Sequence, residues 1–270
     1  MLRSLKNLER YKVSATDGDI GSVVNFLIDD TRWTVRYLVV DTGGFFGGRQ
    51  VLVTPISFHQ VDYSEERFRL SLTMDKIKNS PSIDLDRPVS RQAERDYYGY
   101  YGYPYYWGYG GLWGMGGYPA ALASGPYDAP RDRPGEPPAD PHLRSVKDVT
   151  GYHVEATDGA IGHVSDFIVD DETWQVRFMA VDTANWWPGK TVVLAPEWAT
   201  RISWVDRKVY LGMTRNEIRS SPPWSGTYSV DSAYAEQLAR HYGGIPGWSG
   251  KDGGMGMAPT AGSGAPALVR

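Results

Sequence analysis

The stretch Ala15-Thr16-Asp17-Gly18-Asp19-Ile20-Gly21-Ser22-Val23 returns later in the chain as Ala156-Thr157-Asp158-Gly159-Ala160-Ile161-Gly162-His163-Val164. The match runs without a gap over residues 3–81 and 144–222, at a constant shift of 141 that sets Ala156 against Ala15. About 29 of roughly 79 paired positions are identical, so the chain carries the same module twice. Within the quoted stretch, Asp17-Gly18 supplies the positive-φ position of a tight reversal. The Val, Phe and Ile residues that follow predict a strand over 21–29. A second turn at 29–32 leads to the longest strand, 33–42, with Val35, Tyr37 and Val39 on one face and Arg36, Leu38 and Val40 on the other. A glycine-rich loop over 43–48 precedes strands at 50–54, 58–62 and 68–71 and a helical turn at 74–79. The second copy repeats this order, with strands at 162–170, 174–183, 191–195, 200–204 and 209–212.

Five or six short strands in about 70 residues, with turn signals every 8–12, predict a small closed barrel rather than an open sheet. The fold class expected is mostly β: two small SH3-like barrels with short flanking helices. The expected domains are residues 1–82 and 142–223, separated by 83–141 and followed by 224–270. The strands that begin at Trp33 and Trp174 are apolar on both faces, so their outer faces need a cover. The most economical cover is the other copy, with barrel 1 packed on barrel 2.

Between the copies, Ser90 caps a predicted helix at 91–96, and a related helix is expected over 230–242. Residues 97–117 are dominated by Tyr, Gly and Trp, whereas 125–141 is rich in Pro and charge and reads as a linker. The Gly- and Ala-rich end, 243–270, is expected to be disordered.

Composition narrows the function. The 270 residues carry a net charge of −4 with a pI near 5.8, which gives no electrostatic grip on a nucleic-acid backbone. There are no cysteines, hence no disulfide or thiolate site. The charged N-terminal residues are unlike a signal peptide and no apolar run approaches a spanning length, so a cytoplasmic protein is expected.

The motifs Ala15–Val23, Phe26-Leu27-Ile28-Asp29-Asp30, Trp33–Thr42 and Val51-Leu52-Val53-Thr54-Pro55 resemble the PRC-barrel domain. Their counterparts in the second copy do so too. That domain is named for the cytoplasmic part of the photosynthetic reaction-centre H subunit, and it also forms the C-terminal half of a ribosome maturation factor. The resemblance implies two PRC-like barrels and says little about activity, because one fold serves many functions.

Several motifs have plain structural uses. Asp29-Asp30 and Asp170-Asp171 read as strand-end turns rather than a cation site, since neighbours in a strand point to opposite faces. The five histidines lack metal-ligand spacing and are expected at the surface or in loops. The glycines of 43–48 lack phosphate-loop spacing. No catalytic, cofactor or metal residue is therefore assigned. The candidate partner contacts are Phe45, Phe46, Trp186 and Trp187 on the glycine-flanked loops, with Tyr105, Tyr106 and Trp107 in the linker. The linker tyrosines also suit an ordered strap across a barrel face. The expectation is a non-enzymatic interaction or scaffold module for an unidentified protein partner, without direct nucleic-acid binding. Alternatives are a peripheral subunit of an electron-transport membrane complex or a ribosome-associated factor.

Overall fold

The computed structural model describes residues 1–43, 48–81, 89–123, 142–183, 190–226, 229–230 and 232–245. In chain order the elements are β1 (Leu2–Ser4), α1 (Leu5–Leu8), β2 (Lys12–Ala15), β3 (Gly18–Asp29), β4 (Thr34–Asp41), β5 (Gln50–Val53), β6 (Phe58–Asp62), β7 (Arg67–Leu70), α2 (Met74–Lys78), α3 (Arg91–Tyr101) and α4 (Pro119–Ala123). The second copy follows with β8 (Leu143–Ser145), α5 (Val146–Val149), β9 (His153–Ala156), β10 (Gly159–Asp170), β11 (Val176–Asp182), β12 (Thr191–Leu194), β13 (Ala199–Ser203), β14 (Lys208–Leu211), α6 (Arg215–Ser220), β15 (Ser229–Val230) and α7 (Ser232–Tyr242). The strands expected from the sequence are present within one to three residues. Five of the described strands had no sequence signal: β1, β2, β8, β9 and β15.

The chain divides into two compact units. The first-repeat unit holds Asn7–Lys147 with Asp171–Gln175. The second-repeat unit holds Met1–Lys6, Asp148–Asp170 and Val176–Arg270. In the first-repeat unit the sheet runs β5-β4-β3-β2-β7-β6, with β8 added on β3. In the second-repeat unit it runs β12-β11-β10-β9-β14-β13, with β1 on β10 and β15 on β1. Both units are β-rich and barrel-like. Among the described residues no ladder joins the two ends of either path, so the closed barrel expected from the turn spacing is not formed by strand pairing.

The two sheets take their added strand at the same register. In the first-repeat unit Leu143 pairs with Asp29 and Ser145 with Leu27. In the second-repeat unit Leu2 pairs with Asp170 and Ser4 with Ile168. Each strand comes from the residues that lead the other repeat. One polar side chain secures each junction. Asn25 bonds the Ser145 hydroxyl at 2.9 Å and accepts the Lys147 amide at 3.2 Å. Its counterpart Asp166 accepts the Ser4 hydroxyl and, at 3.1 Å, the Lys6 amide.

Two glycines permit the tight pairing of the long strands. A Cβ on Gly21 would lie 1.9 Å from the Asp41 carbonyl oxygen, and one on Gly162 would lie 1.9 Å from that of Asp182. Any side chain there would push the strands apart. The Asp171–Gln175 turn carries Trp174 into the first-repeat unit. Its ring sits 5.3 Å from Phe58 and 6.0 Å from Phe68, and its carbonyl accepts the Val35 amide.

Candidate functional site

The outer face of β4 is covered by the helix that follows the first repeat. Ser90 caps α3 by accepting the Ala93 amide at 3.2 Å. The helix does not stop at residue 96 as the sequence suggested. It runs on to Tyr101 and closes on Gly102 in the left-handed conformation, φ 72°. Positions i, i+3 and i+4 share a helix face, and here they are Glu94, Tyr97 and Tyr98, all buried. Tyr97 donates to the Leu52 carbonyl at 3.1 Å and accepts the Thr54 amide at 3.2 Å, which terminates β5. Tyr97 and Tyr98 meet the Tyr37 ring edge-on at 5.3 and 6.4 Å. In the second-repeat unit α7 covers the matching face with an apolar cluster that includes Phe178, Ala180, Ala235 and Leu238.

Glu94 is sealed from solvent and takes bonds from three elements. Its Oε1 accepts the Tyr37 hydroxyl of β4 at 3.0 Å and the Tyr106 hydroxyl at 2.7 Å, and its Oε2 accepts Arg91 Nη1 at 2.8 Å. His142 Nε2 lies 3.5 Å from Oε2 and 2.8 Å from the Tyr106 oxygen. The Tyr106 proton is given to Glu94, so His142 Nε2 donates to Tyr106, and its Nδ1 faces Arg91 Nη2 at 3.4 Å. Burial pushes the Glu94 carboxyl up to about 7, against the pull of Arg91, Tyr106 and Tyr37. Burial also raises the Tyr37 and Tyr106 hydroxyls, and the Glu94 charge adds to it.

Residues 103–118 form a strap beside this cluster, held by two arginines through its carbonyls. Arg32 donates to the carbonyls of Tyr109 at 2.9 Å, Gly110 at 3.0 Å and Gly111. Arg36 is fully buried. It donates to the Leu112 carbonyl at 2.6 Å and to Asp29 Oδ2 from Nε and Nη2 at 3.2 and 2.9 Å. Its guanidinium lies 3.9 Å from the Tyr106 ring centre and 4.8 Å from that of Trp113. Trp113 is itself sealed, and its indole N–H donates to the Thr173 carbonyl at 2.8 Å.

The first acidic pair is spoken for. Asp29 Oδ1 accepts the amides of Thr31 and Arg32 at 2.9 and 3.2 Å, forming the turn, while Oδ2 meets Arg36. Burial raises the Asp29 carboxyl, but Arg36, His142 and the Thr31 amide outweigh it and hold the group below its ordinary value. Asp30 accepts Arg144 Nε at 2.7 Å.

Asp29, Thr31, Arg32, Arg36, Arg91, Tyr106, Trp107, Gly108 and His142 line a cleft of about 170 Å³. Of the sequence candidates, Phe45, Phe46, Trp186 and Trp187 lie outside the described residues, as do the linker at 125–141 and the chain end from 246. Tyr105 and Trp107 are half-buried and stacked, with ring centres 4.1 Å apart. Tyr106 does not offer a surface contact: it is 3% exposed and belongs to the Glu94 cluster. His142 is not a surface histidine either, being 9% exposed with both ring nitrogens engaged.

Glu94 is not singled out by residue type or spacing, but the repeat contains a signal for it. At the shift of 141, Tyr37 stands against Phe178 and Glu94 against Ala235. A hydroxyl–carboxylate pair in one copy is thus an apolar pair in the other.

Residues 2–73 match the family model described as the PRC-barrel domain. An uncharacterized protein of Deinococcus radiodurans is 36% identical over 77 residues, which cover 28% of this chain and 27% of that protein. The chain therefore spans about a quarter of that relative's length.

Proposed function

We propose, from the premise that residues 2–73 are a PRC-barrel domain, that this chain is a non-enzymatic protein-interaction module and that the strap is its main contact face. One observation carries the reading. Tyr109 is 45% exposed, Met115 84% and Tyr118 43%, and these three large apolar side chains crowd within ten positions of one strap. Exposed apolar groups gathered in one place mark contact sites, whereas scattered ones do not. The strap backbone is set before any partner arrives, because Arg32 and Arg36 hold its carbonyls and the Gly111 and Gly116 amides close its own turns. A preformed face binds at lower ordering cost than a loose one. The paired aromatics Phe45-Phe46 and Trp186-Trp187 are proposed as further contacts, on sequence grounds alone. No helix among the described residues is long and apolar enough to cross a membrane.

The test is affinity capture from the source organism's lysate with the full chain and a Tyr109→Ser/Met115→Ser/Tyr118→Ser variant. The reading expects a partner set retained by the parent chain and lost from the variant, with the far-UV spectrum unchanged. Equal capture by both removes the strap as the contact face. The readings as an electron-transport subunit or a ribosome factor gain nothing from a relative without an assigned role.

A further inference from the structure

The cleft beside Glu94 sorts its charges by depth. Asp29 is the one carboxylate of the lining and its side chain is 5% exposed, while Glu94, bonded to the lining residues Arg91 and Tyr106, is 0% exposed. Arg36 is buried with them at 0%. What reaches the opening is cationic, namely Arg91 with its side chain 18% exposed and the half-buried Arg32. A guanidinium carries five N–H donors. Arg32 directs Nη1 to Gly110 and Gly111 and one Nη2 hydrogen to Tyr109. Arg91 directs Nη1 to Glu94 and Tyr106 and one Nη2 hydrogen to His142. Among the described residues each therefore keeps Nε–H and one Nη2–H for another acceptor. The Trp107 ring, itself stacked on Tyr105, carries the Arg91 guanidinium 4.4 Å from its centre and so fixes its position.

The second repeat provides an internal comparison. The two residue types persist, as Arg177 and Asp170 at the positions of Arg36 and Asp29, although both are half-buried there. The rim does not persist. Thr173, Ser232 and Met1 stand at the positions of Arg32, Arg91 and His142, and Glu172 stands at that of Thr31. The cationic rim is therefore an addition to a shared frame, not a requirement of it.

We propose that this cleft binds a small carboxylate anion, held by the open edges of Arg32 and Arg91. A flat guanidinium edge matches a flat carboxylate through parallel charge-assisted bonds. The volume of about 170 Å³ falls below the range of about 300–1,000 Å³ for drug-sized ligands, which restricts the guest to a few heavy atoms. Binding requires no protein partner, and the cleft lining does not include Tyr109, Met115 or Tyr118.

The experiment is calorimetric titration of the purified full chain with malonate at pH 6 and constant ionic strength, followed also by tryptophan fluorescence. The parent chain is expected to bind saturably with a Kd of about 1 mM or tighter. Thr31→Glu places a carboxylate at the rim, as the second repeat does naturally, and leaves the strap-holding arginines in place. It is expected to weaken binding at least about tenfold with an unchanged melting temperature. Arg32→Lys keeps the charge, loses the fork, and should weaken binding by about threefold to tenfold. Arg69→Gln, at an arginine paired with Glu65 on β7, should bind as the parent does. The proposal is overturned by three results: no saturable heat up to about 50 mM malonate, equal affinity in the parent and Thr31→Glu, or inorganic phosphate bound about tenfold more tightly than malonate.

Discussion

Replacing Glu94 by Ala removes the acceptor on which two buried hydroxyls and one guanidinium converge. Tyr37 donates at 3.0 Å and Tyr106 at 2.7 Å, and neither hydroxyl reaches water once the carboxylate is gone, since both residues are buried. Each orphaned buried donor costs about 1–3 kcal/mol. Arg91, part-exposed, can turn to solvent and adds little. Glu94→Ala is therefore expected to destabilise the first-repeat unit by about 2–4 kcal/mol. Tyr37→Phe alone leaves Glu94 its other donors and should cost about 1 kcal/mol. The double variant restores the apolar pairing of Phe178 with Ala235 seen in the second repeat. Because it removes the Tyr37 hydroxyl that Glu94→Ala would orphan, it should cost less than the sum of the singles by about 1 kcal/mol. Urea unfolding followed by tryptophan fluorescence, with the four proteins in a double-mutant cycle, gives these values. A neutral Glu94→Ala, or strictly additive singles, would refute the reasoning.

Further outcomes follow from the same geometry. Glu94 is held near 7 against an ordinary 4.5, so its contribution is fully present below about 4.5 and is lost as pH rises through about 7. Denaturant midpoints of the first-repeat unit should fall between pH 5 and 8, by on the order of 3 kcal/mol in stability, and Glu94→Gln should flatten that slope. Asp29 acts in the opposite sense: held low, it stabilises above its ordinary 3.8 and that part is lost only in stronger acid. Gly21→Ala sets a Cβ into the Asp41 carbonyl and should cost about 3 kcal/mol or more, read as a lost or sharply lowered thermal transition. Trp174→Ala removes the ring that packs against both Phe58 and Phe68 and should cost about 3–5 kcal/mol in the first-repeat unit, measured by the same urea titration. Asp166→Asn should stay within about 1 kcal/mol by thermal melting, because Asn25 in the other unit accepts the matching Lys147 amide and bonds the matching serine with the donor and acceptor exchanged.

Much of the strand order was legible because the duplication marks what the module needs. Turn residues Asp17-Gly18 and Asp158-Gly159 and the apolar runs after them recur together, and periodicity does the rest. The lead strands Leu2–Ser4 and Leu143–Ser145 were not legible. Three residues carry no period, and their partners are fixed by tertiary placement. The end of α3 was missed because Tyr-Tyr-Gly-Tyr-Tyr is a poor helix former by itself; docking of Tyr97 and Tyr98 on Tyr37 supplies what propensity lacks. The alignment of Tyr101-Gly102 with Tyr242-Gly243 was the available clue, since both glycines close helices with φ near 72° and 73°. Glu94 and His142 were unreadable for a related reason. A glutamate on a short helix and a histidine after a linker look solvated until the strap that buries them is in place. Only the paired change of Tyr37 with Glu94 to Phe178 with Ala235 announced that the two positions touch.

Residues 103–118 form a fixed strap over the first repeat without a partner. Hydrogen–deuterium exchange on the isolated chain tests it most directly. The account predicts slow exchange at Gly111, Trp113, Gly114 and Gly116, whose amides donate within the strap to Gly114, Gly116, Tyr106 and Trp113, and faster exchange there in Arg36→Gln. Exchange of these amides at the rate of an unstructured peptide in the parent chain would contradict it.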